Sequence, residues 1–194
     1  MQLTAAILAG GGAARFGGRD KSALVVHGRT ILDRQVAELM QLTEHILLVG
    51  RASRDDRLLA VADLVPGCGP LGGLYTALTE ARTDVVVVVA CDMPFVSAAL
   101  LGHLAALTAT GVDAAVARSE RGYHPLYAAY TRACLEPIAR RLAERRLKMA
   151  DFLTDVRLRV VDPEELDRFG DYRRLLANIN TPDEYNAALE GHEL

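Results

Sequence analysis

Asp84-Val85-Val86-Val87-Val88-Val89-Ala90-Cys91-Asp92 is the stretch whose reading decides the fold class. Five consecutive valines leave no alternation between core and solvent. Such a strand needs apolar cover on both faces, which is the environment of a central strand in a parallel sheet. The run is far shorter than the ~20 apolar residues of a membrane span. A carboxylate follows where the chain emerges from the sheet.

Working outward, strand-like and helix-like segments alternate. Leu3–Leu8 reads as a buried strand, and His45–Val49 and Val112–Ala117 read as further strands. Thr30 with Asp33 marks a helix start, with Ile31, Leu32, Val36, Leu39 and Met40 at helical spacing. Gly69-Pro70 opens a second helix with the stripe Leu71, Leu74, Tyr75, Leu78, and Ser97 caps a third. This order implies βαβ units: an α/β fold with a mostly parallel sheet flanked by helices. Toward the C-terminus, Gly122–Tyr130 reads as a hairpin. A helix carries Leu135, Ile138 and Leu142, and Arg157–Val161 reads as an added strand. Thr181-Pro182-Asp183-Glu184 is a helix start with a capping box. The chain reads as one domain over residues 1–194, with a first part of about 1–110 and a second of about 111–194.

Bulk properties narrow the class. The 194 residues are 51% hydrophobic and 24% charged, a packed composition that needs no disulfide or metal staple. A net charge of −3 argues against a nucleic-acid surface, so an anionic substrate requires a local cationic pocket. Cys68, Cys91 and Cys134 form neither a secreted disulfide framework nor a zinc site. With no leader-like or spanning segment, a reducing cytoplasmic setting without membrane contact is expected.

The segment after the first strand is Leu8-Ala9-Gly10-Gly11-Gly12-Ala13-Ala14-Arg15-Phe16-Gly17-Gly18-Arg19-Asp20-Lys21. Glycines let backbone N–H groups converge on an anion, and Arg15 and Lys21 add the full charges a triphosphate calls for. A P-loop would place glycine directly before Lys21-Ser22, where Asp20 stands. A dinucleotide fingerprint would end the second strand on an acid, where Val49-Gly50-Arg51 stands.

Those fourteen positions resemble the nucleotidyltransferase loop L-A-G-G … R-[FM]-G … K, and specifically the molybdenum cofactor guanylyltransferase family. Further landmarks follow in the family's order. They are Asp63 with Pro66-Gly67-Cys68-Gly69-Pro70-Leu71-Gly72-Gly73, then Cys91-Asp92-Met93-Pro94, His124-Pro125 and Asn178-Ile179-Asn180-Thr181-Pro182. The resemblance implies a Rossmann-like nucleotidyltransferase fold in which Leu8, Ala9, Gly10, Gly11, Lys21, Asp63 and Asp92 contact GTP. It implies Mg2+ on Asp92, with Arg15, Lys21 and Asp92 as the catalytic set. Molybdopterin is the implied acceptor, approached by His124, Asn178 and Asn180, with transient contact to proteins that deliver or receive the cofactor. The family's asparagine past the second strand is replaced here by Gly50-Arg51, so no contact carries over to that position. A sister group of cytidylyltransferases reads L-A-A-G and D-x-D-T-P where this chain has Leu8-Ala9-Gly10-Gly11 and Asn178-Ile179-Asn180-Thr181-Pro182. A non-catalytic GTP-binding module is the alternative of another class.

Competing roles stand beside several of these residues. Asp92 before Met93-Pro94 can cap a helical turn, or serve as a hard oxygen ligand for Mg2+. Asp63 can accept from the N1–H and N2–H2 donors of guanine, contact ribose, or cap a turn. Asn178 and Asn180, two residues apart, point to one side of an extended segment, and turn chemistry before the last helix is their other reading. His124 is a substrate contact or a structural histidine. Arg140, Arg141, Arg145, Arg146 and Lys148 read mostly as a solvated face.

Overall fold

A computed structural model describes residues 2–9 and 21–190; Gly10, Gly11 and Arg15 lie outside the described residues. In chain order the strands are β1 (Thr4–Leu8), β2 (Val25–Val26), β3 (Arg29–Thr30), β4 (Ile46–Val49), β5 (Leu59–Val61), β6 (Val85–Ala90), β7 (Ala114–Ser119), β8 (Gly122–Thr131) and β9 (Leu158–Val161). The helices are α1 (Ile31–Leu39), α2 (Gly69–Glu80), α3 (Ala98–Thr108), α4 (Leu135–Ala143), α5 (Met149–Phe152), α6 (Pro163–Leu166), α7 (Tyr172–Leu175) and α8 (Pro182–Glu190).

The seven-stranded sheet has the order β5-β4-β1-β6-β8-β7-β9. β5, β4, β1 and β6 run parallel. β8 is antiparallel to both β6 and β7, and β9 is parallel to β7, so a single strand of this sheet is reversed. The valine strand does lie at the centre. Val87 and Val89 pack into one core layer beneath α1 and α3, while Val86 and Val88 pack into the other beneath α2 and α4. All four are fully buried, and burying a valine contributes about 1.5–3 kcal/mol. Small residues in β1 and glycines in α2 permit close layers: a Cβ on Gly73 would sit 3.4 Å from Leu8 Cδ1.

The helix starts follow the expected capping chemistry. Thr30 Oγ1 accepts from Asp33 N at 3.0 Å, and Ser97 Oγ accepts from Leu100 N at 3.4 Å. Thr181 and Glu184 exchange the two bonds of a capping box, at 3.2 and 2.9 Å.

One expectation needs correction. Gly122–Tyr130 is not a hairpin in itself. It is most of the ten-residue strand β8, and the hairpin is β7–β8, turning through Glu120-Arg121. The register slips between Val116 and Ala117, opposite the stretch holding Pro125, where a missing N–H costs the ladder nothing. The basic cluster is mostly exposed, as expected, with Arg141 the exception. Arg141 is buried, donating to both oxygens of Asp155 at 2.5 and 2.9 Å and to Asp151 O at 2.6 Å. Its position on the apolar face with Ile138 and Leu142 forces it inward.

Candidate active site

The sheet changes its direction of growth at β1: β4 and β5 lie on one side and β6 on the other. Chains leaving the carboxyl ends of strands at such a point diverge and leave a crevice. Leu8 is paired with Ala90, and Cys91 N donates to Leu8 O at 3.2 Å. Ala9 N donates to Val49 O at 2.9 Å. The Leu8 carbonyl and the Ala9 N–H are therefore engaged within the sheet, at the end of β1 beside the turn that follows β6.

Three of the residues singled out in the sequence meet in this crevice. Lys21, at the start of a short 3-10 turn, places Nζ 3.3 Å from Asp92 Oδ2 and 2.8 Å from Asn180 Oδ1. The Lys21 and Asp92 side chains are 16% and 18% exposed, so the pair sits largely away from water but remains reachable. Asp92 is thus not spent on capping the following turn. Its Oδ2 faces the ammonium, and its Oδ1 is buried with no hydrogen-bond partner among the described residues. Burial pushes the Asp92 carboxyl above the usual carboxylate range; Lys21 opposes that shift without cancelling it.

An unpartnered buried carboxylate oxygen is costly unless a cation or donor is meant for it. Among the described residues no three His, Cys, Asp or Glu side chains form a metal cluster. One carboxylate, with the remaining positions left to phosphate oxygens and water, suits Mg2+ better than a resident metal such as structural zinc.

Arg51, at the position of the family's missing asparagine, was assigned nothing by sequence reasoning. It follows Gly50, whose φ of 83° is open to glycine at little cost. From there its guanidinium donates to Ser22 Oγ at 2.5 Å, immediately after Lys21. Gln35 on α1, likewise unflagged, bonds Ala90 O and Met93 O on either side of Asp92. No spacing rule marks either residue, because each acts across elements.

Asp63 follows β5. Its Oδ1 accepts from Val65 N at 3.1 Å and from Thr76 Oγ1 at 3.0 Å, which ties the loop to α2. The capping role is therefore present, and Oδ2 makes no recorded bond among the described residues. Gly72 lets this loop close on the helix, since a Cβ there would meet Val65 O at 2.9 Å.

His124 and Asn178 line a common cavity of about 570 Å³ with Ser119, Arg121, Arg173 and Ala177, a volume in the range of small-molecule sites. His124 Nε2 lies 2.8 Å from Ser119 Oγ. Burial, with Arg121 nearby, holds the imidazole below its ordinary value and so neutral at physiological pH. Asn180 does not join this cavity; it turns to Lys21 instead. Buried Ile179 stands between the two asparagines and donates its N–H to Asp92 O at 2.9 Å. One short segment therefore touches both the Lys21–Asp92 pair and the cavity. A smaller cavity of about 230 Å³, lined by Thr4, His45 and Arg82, opens at the opposite end of the strands and holds none of these residues.

Residues 5–158 match the family model described as the MobA-like NTP transferase domain. The chain belongs to the MobA-like NTP transferase family. The chain is 34% identical to a probable molybdenum cofactor guanylyltransferase of Pelotomaculum thermopropionicum, over 95% of this chain and 90% of that one. It is 36% identical to another so named from Chloroflexus aggregans, over 95% and 92%. A crystal structure of molybdopterin-guanine dinucleotide biosynthesis protein A from Archaeoglobus fulgidus superposes with a TM-score of 0.81 at 25% identity, covering 96% of this chain and 97% of that one. The same sheet recurs in 2-C-methyl-D-erythritol 4-phosphate cytidylyltransferase from Thermus thermophilus, at a TM-score of 0.70 and 18% identity over 98% of both chains, a likeness of fold alone. As a member of the MobA-like NTP transferase family the chain is a nucleotidyltransferase, and the Lys21–Asp92–Asn180 arrangement lies at the strand ends where such a fold binds nucleotide.

Proposed function

We propose that this protein transfers GMP from GTP to the terminal phosphate of molybdopterin, releasing pyrophosphate and giving the guanine dinucleotide form of the molybdenum cofactor. The observation that carries the reading is Lys21 Nζ held between Asp92 and Asn180, with Asp92 Oδ1 buried and unpartnered beside it. The names of the relatives supply the nucleotide and the acceptor.

Asp92, through Oδ1, would hold Mg2+, and the ion when bound supplies charge neutralisation for the displacement at the α-phosphorus. Lys21 supplies a second, protein-borne cation at the same place, steered by the amide of Asn180. Arg51 braces the Lys21 turn through Ser22. A new P–O bond forms between an acceptor phosphate oxygen and the α-phosphorus as the bond to the pyrophosphate oxygen breaks. The acceptor phosphate is already anionic, so no side chain has to remove a proton from it. The cavity of His124, Asn178, Arg121 and Arg173 is the place for the acceptor. Its neutral histidine offers hydrogen bonding to a pterin, and its guanidiniums offer charge to a phosphate.

A thermal-shift comparison of GTP, ATP, CTP and UTP, with and without Mg2+, tests the first half. At about 100 times its dissociation constant a ligand adds about 2.7 kcal/mol, or roughly 5–10 °C for a domain of this size. GTP with Mg2+ should give the largest rise. A larger rise with CTP would make the protein a cytidylyltransferase. Pyrophosphate release on adding molybdopterin tests the second half, and its absence from a GTP-binding protein would leave a binding module without turnover.

A further inference from the structure

The ladder of β6 ends at Ala90, and beyond the Cys91 N–H bond to Leu8 O the chain carries Asp92 without further sheet hydrogen bonds to hold it. Several carbonyls from Ala90 to Pro94 are nevertheless taken up by other elements. Gln35 Nε2 donates to Ala90 O at 2.7 Å and to Met93 O at 2.9 Å. Its neighbour Arg34 donates from Nε to Pro94 O at 3.0 Å and from a terminal nitrogen to Val26 O at 3.3 Å. Ile179 N takes the carbonyl of Asp92 itself. One amide on α1 thus spans the turn, gripping it two residues before Asp92 and one residue after.

Gln35 is fully buried, and its own Oε1 has no hydrogen-bond partner among the described residues. The orientation of the amide is not open to choice, because both neighbours are carbonyl oxygens and only the NH2 end can serve them. A leucine or methionine would fill this place on α1 without a stranded Oε1, but it would leave Met93 O without its donor. The two bonds therefore have to matter more than the stranded oxygen. What they determine is the backbone from which Asp92 projects, and so the direction of its carboxylate.

We infer that Gln35 is a positioning residue: by clamping Ala90 and Met93 it aims Asp92 Oδ1 at the cation that GTP brings, with Arg34 extending the clamp to Pro94. The inference rests on Asp92 being the metal carboxylate. Groups that hold a metal ligand in place commonly govern affinity or activity ten- to a hundredfold.

The test is Mn2+ binding, followed by electron paramagnetic resonance with a non-hydrolysable GTP analogue, in the wild type, Gln35→Met and Asp92→Ala. Gln35→Met keeps the side-chain length and removes both donors. It should weaken Mn2+ binding roughly tenfold while analogue binding without metal stays unchanged. Steady-state turnover should need correspondingly more Mg2+, and kcat should fall at saturating GTP. Gln35→Glu, as the carboxylic acid, donates to only one carbonyl, so its effect should be intermediate; it also serves if the methionine variant fails to fold. Wild-type Mn2+ affinity in both Gln35 variants, with binding lost in Asp92→Ala, would overturn the inference and leave the role of Asp92 standing. Wild-type affinity in Asp92→Ala would overturn both.

Discussion

Replacing Asp92 by asparagine should raise the stability of the metal-free protein while removing its activity. At 3.3 Å the Lys21–Asp92 attraction is about 5 kcal/mol at an effective dielectric constant of 20. Against it stands the desolvation of two largely buried ions, several kcal/mol for each. The raised value of the Asp92 carboxyl shows which side prevails: its charged form is disfavoured even with Lys21 beside it. Asparagine keeps an oxygen for Lys21 and exchanges one unpartnered buried atom for another, so the main change is loss of the costly charge. We expect the variant to melt higher at neutral pH, each 1 kcal/mol of gain reading as about 2–4 °C in Tm. The pH dependence fixes the sign. A carboxyl raised in the folded state binds its proton more tightly there, so the contribution of Asp92 to wild-type stability is greatest below the ordinary carboxylate range and is lost as pH rises through the raised value. The variant lacks this fall, and the two Tm curves should converge toward about pH 4. Melting in chelator from pH 4 to 8 measures both curves, and turnover with Mg2+ should drop on the order of a thousandfold. A variant less stable than wild type at neutral pH, or a difference that ignores pH, would refute the reasoning.

Asp63→Asn preserves the Oδ1 cap on Val65 and Thr76 while turning the other position into a donor. The GTP-over-CTP ratio of kcat/KM should fall by roughly 5- to 150-fold, and an unchanged ratio would make Asp63 a capping residue alone. Burial pushes the Cys134 thiol up to about 12, so a thiol reagent at neutral pH should reach it only after unfolding. Replacing Cys68, Cys91 and Cys134 together by alanine should leave the folded fraction active, and loss of turnover in a folded triple variant would assign a cysteine to the chemistry. Arg141→Met leaves Asp155 without its partner and should cost about 3 kcal/mol in urea melts, with GTP affinity of the folded protein unaltered.

What is legible in the sequence is what local chemistry dictates. The valine run places β6 at the centre, and the caps at Thr30, Ser97 and Thr181 start α1, α3 and α8 where the structure starts them. Lys21, Asp92 and Asn180 are recognisable by motif, though that they touch is a property of the folded sheet. Elements stabilised by distant partners are not legible. The edge strand β5 is three partly exposed residues without a pattern. The β2–β3 turn uses His27 and Gly28, at φ of 49° and 78°, over strands too short to show alternation. Pro125 makes a continuous strand read as an interruption. Arg141, Arg51 and Gln35 carry ordinary helix or loop identities, and their roles come from Asp155, Ser22 and the β6 carbonyls.

The bond between Lys21 and Asn180 joins residues 159 apart in the chain. At synthesis rates of 5–20 residues per second, the lysine leaves the ribosome roughly 10–30 s before the asparagine exists. The last strand of the sheet ends at Val161, ahead of Asn178 and Asn180. A nascent or truncated chain therefore holds every residue of the seven-stranded sheet and of the two core layers on it while Lys21 still lacks its Asn180 partner and the Asp92 carbonyl has no Ile179 to hold it. Assembly of the sheet and competence of the crevice become separable events, and the short segment before the final helix is what brings them together.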